Sequence, residues 1–314
     1  MKKVVRILLI AAMLVGLFAV RSVSAQEAVT GKKMALVVKF LGNPMFMHLK
    51  EVMEEAVVDS GNTLDTYDAA NDAQKEANLF ADLITNQYDA IFIAAVDYVA
   101  SAPLIDQANE AGIPIAVVDS AVIGFENATF SVMSDNVKAG EIAMEALAKY
   151  MDYKGKMIIF ENRMSYAVSQ RSIGRDNVLR KYRDIEVVNT MNSPSSIDQA
   201  MFAMDNFLQA DPDIAGAWGG NDLCAQGFVA AAKSAGKEAG DIGIVGIDGS
   251  VDSIALIKEG CWQTATSAQS FGKIGRASVE MMLKVLAGEE LEERDILIPV
   301  ELVDAENIED YVFD

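Results

Sequence analysis

Histidine occurs once and cysteine twice in 314 residues. Zinc and most transition-metal sites draw several ligands from these types, so no metal centre is expected and no cofactor is called for. His48 also lacks a Ser or Cys partner in any recognisable arrangement, which leaves no nucleophile–base pair. Positive charge is scarce too: 26 Lys and Arg stand against 46 Asp and Glu, a formal −20. Nucleic-acid binders need basic patches to meet phosphates, so that class of partner is excluded. There are only six prolines and no Pro/Gly/Ser-rich stretch that would act as a tether. Low-complexity segments are absent as well, and an apolar fraction of 51% excludes disorder.

One long hydrophobic run exists, and it lies at the start. Lys2, Lys3 and Arg6 precede Ile7–Val20, and Val23-Ser24-Ala25 then offers small residues before Gln26. This order reads as a cleaved signal peptide over residues 1–25. Its apolar part is about 14 residues, short of the roughly 20 that span a bilayer. No cysteine stands at the cleavage point, so no lipid anchor is expected there. Removing the segment's four basic residues leaves a formal −24 on the mature chain. Export would permit Cys224 and Cys261 to pair, and the sequence leaves that open.

From Lys33 onward, strand and helix patterns alternate. Met34–Val38 is a continuous apolar run, as in a strand covered on both faces. Strands are expected near 62–67, 89–95 and 113–119, with helices at 46–61, 74–86 and 100–111 between them. The pattern restarts after Ser134. Helices at 137–150, 169–182, 196–208, 223–234 and 271–286 alternate with strands at 156–160, 185–189, 214–218, 242–247, 262–267 and 296–300. That repetition predicts an α/β fold of two similar doubly wound parallel-sheet lobes. With no tether, several short crossings must join them.

Ligands of open parallel sheets bind beyond the carboxyl ends of the strands. Those ends carry Lys39 and Asn43-Pro44, Asp97, Asp119-Ser120, Asn221-Asp222, Asp248-Gly249-Ser250 and Ala268-Gln269-Ser270. Arg171 and Gly174 lie on one helix of the second lobe. On these residues, with Ile113-Pro114, Ser134-Asp135-Asn136 and Gly246-Ile247, the mature chain resembles the periplasmic sugar-binding proteins of ABC transporters, in the ribose/galactose-binding branch.

The resemblance implies the type I periplasmic binding protein fold, with residues 29–134 plus 270–301 in one lobe and 135–269 plus 302–314 in the other. Its three-segment hinge would cross at Ser134–Asp135, Gln269–Ser270 and Glu301–Leu302. It also implies a sugar site. Asn43 and Phe46 match positions that bond and stack on the ring. Asp119 and Arg171 match clamps on hydroxyls, and Asn221, Asp248 and Gln269 match the rest. Lys39 matches a lysine of some hexose-binding members and reads a hydroxyl or a carboxylate. Such a set suits sugars, since hydroxyls donate and accept while an aromatic covers the C–H face.

Departures weigh against ribose. Ser120 stands where ribose-binding members have Arg, Ala94 where they have Asn, and Ser195 where an aromatic stacks. A hexose, another pentose or a polyol remains. Plainer readings stand beside these. Phe46 lies on the apolar stripe of its helix, Asp248 suits a turn and helix cap, and one of Asn221 and Asp222 would be a cap. Trp218 reads as strand core, and Tyr98 and Tyr166 as cleft-mouth residues. The carboxylates Asp119 and Asp248 show no spacing that demands acid–base catalysis, so no enzyme and no catalytic residue is expected. The implied partners are a sugar and the membrane permease of an ABC transporter, served by a periplasmic monomer. An input to a chemoreceptor or sensor kinase is the alternative. Lac-repressor-type regulators share the core but need a DNA-binding helix-turn-helix where this chain has its export segment.

Overall fold

β1 (Lys33–Val38) shows why the chain folds as two layered lobes. Met34 to Val38 are all fully buried, because helices cover both faces of the sheet. Met34, Leu36 and Val38 join one core and Ala35 and Val37 the other, as the two-residue period of a strand requires. The computed structural model describes residues 28–193, 195–260 and 262–314. The expected export segment, residues 1–25, and the partner thiol Cys261 lie outside the described residues. Cys224 is a free, buried thiol.

In the first lobe, β1 is followed by α1 (Pro44–Asp59), β2 (Thr63–Asp68), α2 (Ala73–Thr85), β3 (Ala90–Ala94), α3 (Pro103–Glu110), β4 (Ile115–Val118) and β5 (Phe130–Ser134). The second lobe holds α4 (Asn136–Tyr150), β6 (Gly155–Glu161), α5 (Tyr166–Leu179), β7 (Ile185–Asn192), α6 (Ile197–Ala210), β8 (Ile214–Gly219), α7 (Asp222–Ser234), β9 (Gly243–Asp248), α8 (Val251–Lys258) and β10 (Ala265–Ala268). Then α9 (Phe271–Leu286) and β11 (Asp295–Ile298) return to the first lobe, and β12 (Glu301–Asp304) goes back to the second.

The sheet orders are β11-β5-β4-β3-β1-β2 and β12-β10-β9-β8-β6-β7. Each strand of one sheet thus has a counterpart in the other. All pairs are parallel except β10 with β12. The lobes also exchange helices. After β5 the chain crosses over, and α4 packs on β8, β9 and β10. After β10 it crosses back, and Phe271, Ile274 and Met282 of α9 join the core of β1 and α1.

Three details differ from the expected pattern. β5 was not expected; Ser131 and Ser134 interrupt its apolar run, yet all five of its residues are buried. The single strand expected at 296–300 is split, with Pro299 and Val300 between β11 and β12. Proline donates no hydrogen bond, so it suits this break between ladders. Glu301 and Leu302, expected at the third crossing, instead begin β12 and pair with Ala268 and Ser267. The crossing is Pro299–Val300. Ser134–Asp135 falls between β5 and α4, and Gln269–Ser270 between β10 and α9. Asp135 and Ser270 accept from the backbone of Lys138 and Lys273, so each caps the helix that enters the opposite lobe.

Candidate functional site

The carboxyl ends of the two sheets face each other, and their polar residues enclose a cavity of about 340 Å³. Lys39, Asn43, Phe46, Asp119, Arg171, Asn221 and Asp248 all line it. Gln269 does not. It is buried one layer behind and donates from Nε2 to Asp248 Oδ1 at 2.7 Å. The sheet equivalence explains the convergence. Asp119 follows β4, Asp248 ends β9, and those strands are counterparts. Asp97 and Asn221 likewise follow the counterparts β3 and β8. Both aspartates sit in sparsely populated backbone regions, with φ of +59° at Asp119 and +150° at Asp248. Such positions cost about 1–3 kcal/mol each and cluster at ligand clamps.

Each cavity cation faces a carboxylate. Lys39 Nζ is 3.5 Å from Asp119 Oδ2, and Arg171 Nη1 is 3.4 Å from Asp248 Oδ1. The guanidinium is 4% exposed and fixed on two further sides. Nε donates to Asn136 Oδ1 and Nη1 to the Gly220 carbonyl, both at 2.9 Å. Lys39 Nζ also lies 5.1 Å over the Phe46 ring. Phe46 is both core and lining. It is buried edge-on against Phe271, with ring centroids 5.7 Å apart, while it lines the cavity.

Asn43 and Asn221 cap helices from the cavity wall. Asn43 Oδ1 accepts from Met45 N and Asn221 Oδ1 from Cys224 N, which caps α1 and α7. The amide N–H groups then remain for the cavity. Asp222 is no ligand contact: Ser250 N, Thr266 Oγ1 and Gln263 Nε2 all donate to its buried carboxylate. Burial holds that carboxyl above the ordinary range. The same burial pushes the Cys224 thiol up to about 12, so it is inert as a nucleophile. Trp218 is fully buried in strand core, as expected.

Ser165, Asn162, Asn192 and Asn71 also line the cavity and were not expected there. Ser165 is the informative one. It stands before α5 as Asn43 stands before α1, yet its side chain does not cap its helix. Its hydroxyl faces the first lobe instead, 3.5 Å from Lys39 Nζ and 3.4 Å from Ser120 Oγ. The expected helix began at Ser169, three residues late, which hid this position. Tyr98 and Tyr166, expected at the mouth, are not among the cavity-lining residues but lie where the lobes touch. Tyr98 N donates to the Met164 carbonyl at 3.1 Å, and Tyr166 packs 5.8 Å from Phe125.

The buried Asp248 gives a pH signature. Burial pushes its carboxyl up to about 7, with Arg171 opposing and Asp222 and Asp119 adding to the rise. An unfolded aspartate titrates at about 3.9. The favourable contribution is therefore complete below about pH 4 and lost as pH rises through about 7. Thermal unfolding between about pH 4.5 and about pH 8 should show wild type losing ground to Asp248→Asn as pH rises. The change should be on the order of 1–3 kcal/mol. A flat difference across that window would refute the assignment.

Two lobes exchange helices, and a polar cleft lies between their facing strand ends. The sequence pattern of the periplasmic binding protein domain matches residues 34–290, and the chain belongs to that family. Its relatives include the ribose import binding protein RbsB of Bacillus subtilis, 31% identical over 85% of both chains. Among solved structures, a solute-binding protein of an ABC transporter from Bacillus halodurans, with bound myo-inositol, superposes with a TM-score of 0.84. It is 26% identical and covers 90% of this chain and 97% of its own. One from Actinobacillus succinogenes with bound D-allose gives 0.82 at 27% identity, over 89% and 100%. The chain is thus a type I periplasmic sugar-binding protein of the ABC-transporter class and not an enzyme.

Proposed function

We propose that the chain captures a neutral monosaccharide or cyclic polyol in the periplasm and presents it to the permease of an ABC importer. The observation that carries the charge assignment is the pairing of Lys39 with Asp119 and of Arg171 with Asp248. A ligand carboxylate would have to compete with Asp119 for Lys39 and with Asp248 for Arg171, and it would meet Asp97, which also lines the cavity. A neutral polyol takes hydrogen bonds from paired charges without disturbing them. Relatives named for ribose import, and others holding myo-inositol or D-allose, support the class. Ser120, Ala94 and Ser195 argue against ribose itself. Residues 1–25 would direct export of the monomer. The lobes would then close about Ser134–Asp135, Gln269–Ser270 and Pro299–Val300.

The test is thermal unfolding with ribose, allose, myo-inositol and galacturonate. A ligand at 100 times its Kd stabilises the fold by about 2.7 kcal/mol, a readily measured rise in Tm. At least one neutral compound should raise Tm and galacturonate should not. Lys39→Met should weaken the neutral ligand by only about tenfold. A shift with galacturonate alone, lost in Lys39→Met, would overturn the assignment.

A further inference from the structure

The segment after β12, residues 305–314, does not stay with the second lobe. It starts there: Ile308 packs with Ile257, Ala268 and Val303 in a small core, and Tyr311 packs against it. It then reaches the first lobe. The Phe313 ring lies 4.9 Å from His48 of α1. The Asp314 carboxylate accepts from the Ser270 hydroxyl and the Arg276 guanidinium, at the start of α9. Phe313 also lines a groove of about 370 Å³ between the lobes, with Leu41, Met45, Met47 and His48 on one wall and Val251 of α8 on the other. This groove is separate from the sugar cavity and shares no lining residue with it.

We propose that Val312–Asp314 is a strap that favours the closed cleft, a fourth link beside the three covalent crossings. The inference concerns regulation of the sugar site and rests on the closure reading given above. Tyr311 packs on the second lobe, while Phe313 and Asp314 reach His48 of α1 and Arg276 of α9 on the first; the Ser270 bond lies at the crossing itself. Tyr311 and Asp314 are three residues apart, so an extended chain lets them separate by at most about 11 Å. An opening that moved α1 away from α8 would take one wall of its groove from Phe313. The aromatic contact and the Asp314 bonds therefore oppose opening and slow release of the sugar.

The experiment uses the full chain with Phe313→Ala and Arg276→Ala, which attack the strap from its two sides. Val312→Ala is the control, since Val312 is 79% exposed. Release of ribose, allose or myo-inositol is followed by stopped-flow, and the unliganded protein by small-angle scattering. Both strap variants should release sugar about 3- to 10-fold faster and scatter as a more extended particle, while Val312→Ala matches wild type. Wild-type release and wild-type scattering in both variants overturn the strap, even if Tm falls. If none of these sugars binds wild type, the sugar reading fails by itself. The scattering comparison then still decides the strap.

Discussion

An Arg171→Ala variant should still fold, at reduced stability, and fail to hold sugar. Its affinity should drop by about 2–5 kcal/mol, which is roughly 30-fold or more. The size follows from what surrounds the guanidinium. Asn136 and the Gly220 carbonyl fix its Nε and Nη1, so the rest of the fork is presented to the cavity without further loss of freedom. Removing it also strips Asp248 of the cation paired with it. That carboxyl already sits near 7 because it is buried, so it takes up a proton instead of remaining charged. Folding is therefore spared more than binding is. A protonated Asp248 must donate where a carboxylate accepted, which mismatches a ligand chosen for the ionised form. Arg171→Lys should rescue little, because a point charge does not reproduce the planar fork. Calorimetry with the sugar that raises Tm most is the measurement, with unliganded Tm as the check on folding. Affinity within threefold of wild type, in a folded variant, would remove Arg171 from the site.

Much of this architecture was legible in the sequence because buried parallel strands are written as unbroken apolar runs. Met34–Val38 is such a run, and β1 begins one residue before it and ends with it. β5 was hidden by Ser131 and Ser134, whose burial depends on neighbours that arrive from distant parts of the chain. Ser131 is satisfied by Asp295 of β11, 164 residues away. The site was legible for the same reason as the fold. Strand ends are easy to locate, and a polar residue just past one points into the cleft. What the sequence could not show was depth. Gln269 and Asn221 look alike as polar residues near strand ends, but only Asn221 reaches the cavity. Nor could it show Ser165 turned away from its own helix. That choice depends on Lys39 and Ser120 facing it from the other lobe.

The helix exchange makes the site depend on one unusually close helix contact, and this gives the second large effect. Gly174→Ala should lower stability and affinity together. Gly140 on α4 and Gly174 on α5 face one another so closely that a Cβ on either would strike the other helix's backbone. At Gly174 it would meet the Val137 carbonyl, and at Gly140 the Arg171 carbonyl. A backbone carbonyl cannot rotate away as a side chain can, so the helices must move apart. Overpacking of this kind costs about 1–3 kcal/mol and sometimes more. It exceeds the roughly 1 kcal/mol that alanine gains over glycine in a helix. The displaced helix carries Arg171, with Ser165 immediately before it, while α4 starts directly after the Ser134–Asp135 crossing. A shift between them therefore moves the clamp relative to the hinge. Gly275→Ala on α9 is the comparison. There the nearest atoms are side-chain carbons of Met53, Val52 and Leu49, at 3.1–3.4 Å, and they can give way. Gly275→Ala should shift Tm little and leave sugar affinity alone. Unfolding and calorimetry on both variants decide the matter. If Gly174→Ala lost stability but kept full affinity, the α4–α5 contact would be packing only and would not position the clamp.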